Sequence, residues 1–253
     1  MASSGKRIVF ITGGNQGVGY ETAKNLLLSS EEYHVILGSR DFSKGEAAAR
    51  EIQAVHGVKG TVSAVQIDVT DDKTVDAAAA RVVSEYGRLD VLVNNAGIIS
   101  TANPPTRKAF RHVLETNVVG SLSVTEAFLD LLRKAVYKPP RLVFVTSSMG
   151  SITHAADPSS PYYNPLGTEY RTSKAAVNML MAMYCARLKP EGFLVFGADP
   201  GLCATNFTGD PVSLRKRNAA EPWEGGERVA SVIKGERDAD VGKVLGVYGV
   251  SPF

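Results

Sequence analysis

Short apolar runs and longer amphipathic ones alternate along the whole chain. Ile8–Ile11, Val35–Leu37, Val62–Ile67, Val91–Val93, Leu142–Val145, Leu194–Phe196 and Val244–Val247 are brief and almost wholly apolar. Strands with one face in water alternate apolar and polar positions, so these runs predict strands covered on both faces, as parallel strands are. Between them, Tyr20–Ser29, Lys44–Val55, Lys73–Tyr86, Phe110–Leu132 and Arg171–Leu188 have the spacing of amphipathic helices. Strand then helix, repeated, implies right-handed crossovers and an α/β fold: a doubly wound parallel sheet of about seven strands with helices on both faces. Two stretches break the rhythm, Gly150–Thr168 and Leu202–Trp223. Both follow predicted strands, at the carboxyl edge where open α/β sheets bind ligands.

Composition narrows the function classes. Hydrophobic residues make up 44% and charged residues 21%, an ordinary globular mixture that argues against disorder. A net charge of +2 is too weak and too dispersed for the basic stripe of a nucleic-acid binder. The two cysteines, Cys185 and Cys203, form neither a disulfide framework nor a zinc site, so no metal is expected. Met1 to Lys6 is polar and runs directly into Arg7–Thr12, without a signal-peptide pattern. No apolar run approaches the roughly 20 residues of a membrane span, so the expectation is a cytoplasmic protein with no membrane partner.

Candidate chemistry begins at Thr12-Gly13-Gly14-Asn15-Gln16-Gly17-Val18-Gly19, which leaves the first strand and opens the first helix. In that place a glycine-rich turn can present free helix N–H groups to a pyrophosphate. Gly13, Gly17 and Gly19 permit the tight turn and close backbone approach. By itself the pattern also fits glycines that merely let a helix pack on a strand. Further on, Tyr170 and Lys174 stand four apart in a predicted helix and share one face. A free phenol has a pKa near 10, too high for acid–base work at neutral pH, and a neighbouring ammonium is expected to lower it.

The T-G-x-x-x-G-x-G spacing resembles the short-chain dehydrogenase/reductase family. That family's other marks follow in order: Asn94-Asn95-Ala96-Gly97, Asn117, Ser147, Tyr170-x-x-x-Lys174, and Pro200-Gly201 with Thr205. The resemblance implies a single Rossmann-like domain over residues 1–253, with a cofactor half over 7–150 and a catalytic and substrate half over 141–250. It implies a catalytic set of Asn117, Ser147, Tyr170 and Lys174. Ser147 would polarise a substrate carbonyl, with Ser148 beside it as the alternative donor, and Tyr170 would deliver the proton. Lys174 would also hold the nicotinamide ribose, and Asn117 would keep a water beside that lysine. Asn117 could equally satisfy a helix kink, and the two readings are compatible.

The same resemblance implies a dinucleotide held by Gly13, Asn15, Gln16, Gly17, Val18, Gly19, Asp68, Val69, Asn95, Ala96, Gly97, Tyr170, Lys174, Pro200, Gly201, Leu202 and Thr205. Asp68 would take the adenine amino group, and Leu202 backbone groups with the Thr205 hydroxyl would take the carboxamide. Ser39 stands where members that select NAD carry an acid, and Arg40 follows it, as in NADPH-preferring carbonyl reductases. A guanidinium can grip a 2′-phosphate bidentately. At about 1.5–3 kcal/mol per charge-assisted bond, Arg40 would give a ten- to hundredfold preference for NADP(H). Gln16 departs from this pattern, because many NADPH-preferring relatives carry a basic residue there.

The expected reaction is therefore NADPH-dependent reduction of a ketone or aldehyde. Its alternatives are oxidation of a secondary alcohol, non-redox chemistry on the same fold, and a dinucleotide-sensing regulator, which predicts loss of acid–base residues that are all present here. The loops Ile98–Lys108, Gly150–Thr168 and Leu202–Trp223 show no charged clamp, so a small neutral carbonyl compound is the expected partner. A homo-oligomer stays open. His154 is expected to be solvated, Trp223 to pack within a lid region, and Cys203 to be structural.

Overall fold

A computed structural model describes residues 5–100 and 102–253, and the polar start at residues 1–4 lies outside them. The strands are β1 (Arg7–Thr12), β2 (Tyr33–Ser39), β3 (Thr61–Gln66), β4 (Val91–Asn94), β5 (Arg141–Val145), β6 (Leu194–Ala198), β7 (Val244–Gly246) and β8 (Gly249–Ser251). They form one sheet in the order β3-β2-β1-β4-β5-β6-β7-β8. Every neighbouring pair is parallel except β7 with β8. The helices are α1 (Gly17–Ser29), α2 (Phe42–Gln53), α3 (Asp72–Tyr86), α4 (Arg107–Leu114), α5 (Gly120–Arg133), α6 (Ile152–Ala156), α7 (Thr168–Leu188), α8 (Pro211–Lys216) and α9 (Pro222–Lys234).

The continuous apolar runs have their cause in two separate cores. Successive strand residues point to opposite faces, so Ile8 and Phe10 join one core with Val75, Val124, Phe128 and Met181 from α3, α5 and α7. Val9 and Ile11 join the other with Ala23, Leu26, Ile52 and Val229 from α1, α2 and α9. From β1 the chain winds outward through β2 and β3, then returns to place β4 on the other flank of β1. This reversal opens a crevice beyond the carboxyl ends of β1 and β4, where both the glycine turn and Asn95 emerge.

The expected sheet of about seven strands stands, with one short strand added at its edge, and one helix expectation needs correction. The sheet has eight strands, because the chain turns at Val247-Tyr248 and comes back antiparallel on β7, with Gly249 at φ +106°. The predicted helix Phe110–Leu132 is interrupted, since a wider π turn over Glu115–Val119 separates α4 from α5 and contains Asn117.

Candidate active site

Gly13 and Gly17 adopt φ of +63° and +60°, a conformation that residues with a Cβ rarely take. Gly19 is required for a different reason. A Cβ there would lie 2.8 Å from the Gly13 carbonyl oxygen and would collide with the Asn95 amide. The turn is pinned from below by Thr12, whose Oγ1 accepts the Asn95 and Ala96 N–H groups, both at 2.9 Å. Asn95 Nδ2 donates back to the Thr12 carbonyl at 2.8 Å and to that of Gly13 at 3.2 Å. Asn95 thus shapes the turn.

Gln16 precedes α1 in extended conformation, and its side chain does not cap the helix. The first turn of α1 carries no acidic residue either. A helix start left uncapped leaves N–H groups and a partial positive charge available to a phosphate, so the turn fits a pyrophosphate. Exposed Arg40 lies just past the end of β2. Its charge reaches Asp68, which caps no helix, because Asp71 already accepts the Lys73 N–H at the start of α3. Burial pushes the Asp68 carboxyl up, but bonds from the Thr70 N–H and hydroxyl, with the Arg40 charge, leave it below its ordinary pKa. Val69, buried beside it, packs against Gly120.

The second half of the site hangs on α7. Lys174 is buried, its Nζ donates to the Val145 carbonyl at 2.9 Å, and it stands 5.6 Å from the centre of the Tyr170 ring. Burial lowers its pKa to about 8, against the opposing pull of the Asp199 carboxylate. Ser147 and Ser148 part company here. The Ser147 hydroxyl faces the Tyr170 phenol, whereas the Ser148 hydroxyl faces Tyr162. The expected lowering of the phenol pKa is reversed, since burial first and the Asp199 charge second hold Tyr170 well above a free phenol. A short turn, Ser148–Gly150, seats Ser147 against α7, and a Cβ on Gly150 would lie 2.5 Å from the Lys174 carbonyl carbon.

Asn117 satisfies the kink and lies one glycine away from Lys174. Its Oδ1 accepts the Ile98 N–H at 2.8 Å, and its Nδ2 donates to the Ile98 carbonyl and to Ser173 Oγ, both at 2.9 Å. Gly97 lies between this amide and the lysine, so that a Cβ there would be 3.3 Å from Asn117 Oδ1 and 3.8 Å from Lys174 Nζ. Beyond β6, Thr205 stands over the glycine turn, 3.7 Å from where a Gly17 Cβ would be. The Leu202 carbonyl accepts the Ala220 N–H at 2.9 Å and keeps a second lone pair, so both Leu202 backbone groups remain candidates for a ligand.

This constellation joins a phosphate-accepting turn, a phenol with a proton to give, a hydroxyl beside it and a buried ammonium, all at one sheet edge. A family model for short chain dehydrogenase matches residues 7–214. The chain belongs to the short-chain dehydrogenase family. It is 35% identical to the short-chain dehydrogenase/reductase tropE of Talaromyces stipitatus, covering 100% of each chain. It is 37% identical to eupG of a Phoma species over 94% of each. Among solved structures, it is similar to an NADPH-bound carbonyl reductase from chicken fatty liver, with a TM-score of 0.82, 26% identity, and 98% and 94% of the two chains covered. A 3-oxoacyl-[acyl-carrier protein] reductase from Brucella melitensis in complex with NAD shares the fold at a TM-score of 0.80 and 22% identity, over 95% of each chain. An oxidoreductase of this family is the class to which the site belongs.

Several neighbours were not legible in sequence. His154 is half-buried and packs on Tyr162, with ring centres 4.9 Å apart, and bonds Ser160 at 3.0 Å. Trp223 lies in the first turn of α9, half exposed, where its carbonyl accepts from Asn25. Cys203 is buried, which raises its thiol to about 11, so it is no nucleophile at neutral pH. Asp199, which the sequence did not single out, faces Tyr170 and Lys174 from the end of β6. Among the described residues, no cluster of His, Cys, Asp and Glu could hold a metal, and no helix is long and apolar enough to cross a membrane.

Proposed function

We propose that this chain reduces the carbonyl group of a neutral ketone or aldehyde with NADPH. The observation that carries the reading is the Ser147–Tyr170–Lys174 arrangement, in which the phenol keeps its proton through the neutral range. NADPH, when bound, supplies the hydride. Gly13, Gly17 and the start of α1 hold the pyrophosphate, and Arg40 takes the 2′-phosphate. Asp68 faces the adenine, while Lys174, the Leu202 backbone groups and Thr205 orient the nicotinamide end.

As negative charge develops on the substrate oxygen, Ser147 donates a hydrogen bond to it and Tyr170 gives it the proton. Asn117 fixes Ile98 and Ser173 around the buried ammonium, keeping the lysine where it meets both phenol and ribose. The raised pKa of Tyr170 favours reduction, because oxidation of an alcohol would need the phenolate as base. Phe207 lies edge-on to Tyr170 with ring centres 5.9 Å apart, a surface suited to an apolar or aromatic carbonyl compound.

Fluorescence titration of NADPH and NADH against wild type and Arg40→Ala tests the cofactor, and a panel of aromatic and aliphatic ketones with Tyr170→Phe as control tests the chemistry. The expected outcome is NADPH binding at least about tenfold tighter, a gap that Arg40→Ala erases. Equal binding of NADH would remove the reductive bias and bring forward the alcohol-oxidising alternative.

A further inference from the structure

Asp199 is a carboxylate buried to 4% exposure at the edge of the sheet where the reacting groups meet. Its Oδ2 accepts the Ser148 N–H at 2.7 Å and its Oδ1 accepts the Gly201 N–H at 2.8 Å. One oxygen therefore anchors the turn that carries Ser147, and the other anchors the loop that carries Leu202 and Thr205. Neither bond is to a cation, so no salt-bridge partner offsets the carboxylate in this dry environment, where charge acts over longer distances than in water.

We infer that Asp199 is a positioning residue of this site, tying the Ser147 turn to the Pro200-Gly201 turn and setting one negative charge against the Tyr170–Lys174 pair. The charge opposes ionisation of the phenol and favours the ammonium, so both groups keep their protons to higher pH. Burial, the larger cause, raises the Tyr162 phenol, which feels the same charge. Burial raises the Cys203 thiol to about 11, and Arg228 of α9, which donates to the Pro200 carbonyl, brings a positive charge to the same turn with Glu224 beside it at 3.9 Å. The inference rests on the proposed reductase reading for its consequence, a site biased toward proton donation, but its physical content can be read without turnover.

The test is an alkaline titration of phenolate absorbance on the full chain, with the corresponding Tyr170→Phe protein subtracted so that only Tyr170 is read. It is run on wild type, Asp199→Asn and Asp199→Ser, the last being small enough for water to replace the lost carboxylate bonds. Loss of the charge should move the Tyr170 transition to lower pH by on the order of one unit or more. An unmoved transition in a folded variant overturns the proposal. Wild type tests it without any Asp199 variant as well, because a Tyr170 transition below the free phenol value of about 10 overturns it too. In the pH profile of ketone reduction, the alkaline limb should shift the same way, whereas a rate loss equal at every pH would reduce Asp199 to a structural brace. If wild type reduces no ketone, the reductase reading fails, while the titration still decides Asp199.

Discussion

Thr12→Val removes one hydroxyl and keeps the shape of the side chain, and it should loosen the phosphate-binding turn. Thr12 is 1% exposed, and its Oγ1 is the common acceptor for the Asn95 and Ala96 N–H groups at 2.9 Å. With valine both donors lose their partner. An unmet buried donor costs about 1–3 kcal/mol, and since Asn95 and Ala96 are only half-buried the lower part of that range applies, giving about 2–4 kcal/mol for the pair. For a chain of this size each kcal/mol is worth about 2–4 °C, so the melting temperature should fall by about 5–15 °C. Urea denaturation should show a lower midpoint with an unchanged slope, and NADPH affinity should fall with it. Thr12→Ser, which keeps the acceptor, should retain most of the stability. If Thr12→Val loses less than about 1 kcal/mol while Thr12→Ser loses as much, the hydroxyl does not hold the turn, and the case built on these two bonds fails.

Burial, with the Lys6 charge adding to it, lowers His34 to about 4, below its unfolded value of about 6.5. The native state therefore prefers the neutral ring, which Thr61 and Tyr86 bond at 2.8 Å each, so its contribution is intact above pH 6.5 and is lost as pH falls toward 4. That loss is about 3 kcal/mol, and denaturation curves at pH 7, 5.5 and 4.5 should show a steeper acid decline in wild type than in His34→Gln. Parallel declines would mean that His34 is protonated in the fold. Gly150→Ala places a methyl 2.5 Å from the Lys174 carbonyl carbon, so α7 must move away from the Ser147 turn. Reductase activity should drop at least about a hundredfold while dinucleotide affinity changes much less, and a variant with normal turnover would show that the close packing of Gly150 on α7 is dispensable.

The sequence by itself determined what depends on neighbours along the chain. Strands buried on both faces have nowhere to put polar residues, so β1, β4 and β5 announced a parallel sheet. The turn from Thr12 to Gly19 and the helical spacing of Tyr170 and Lys174 are likewise local, and both could be placed before any contact was known. Where local pattern was thin, the elements were missed: β8 is three residues long, and Gly225-Gly226 in the first turns of α9 weaken its helical signature. A π turn adds one residue to a helix and shifts its polar face by about one position, a slip easily lost among the mixed residues of a long helix, so Phe110–Leu132 looked continuous.

Only the tertiary structure decided which polar groups meet. Ser147 and Ser148 are equivalent in sequence, and they separate because the turn after β5 aims one hydroxyl at Tyr170 and the next at Tyr162. Thr12 and Asn95 lie far apart in the chain, and the reversal of strand order at β1 and β4 makes them partners. In the sequence, Asp199 is one acid before Pro200-Gly201 with no spacing that marks it. Its weight at the site comes from burial between two turns, and burial, unlike spacing, belongs to the whole fold.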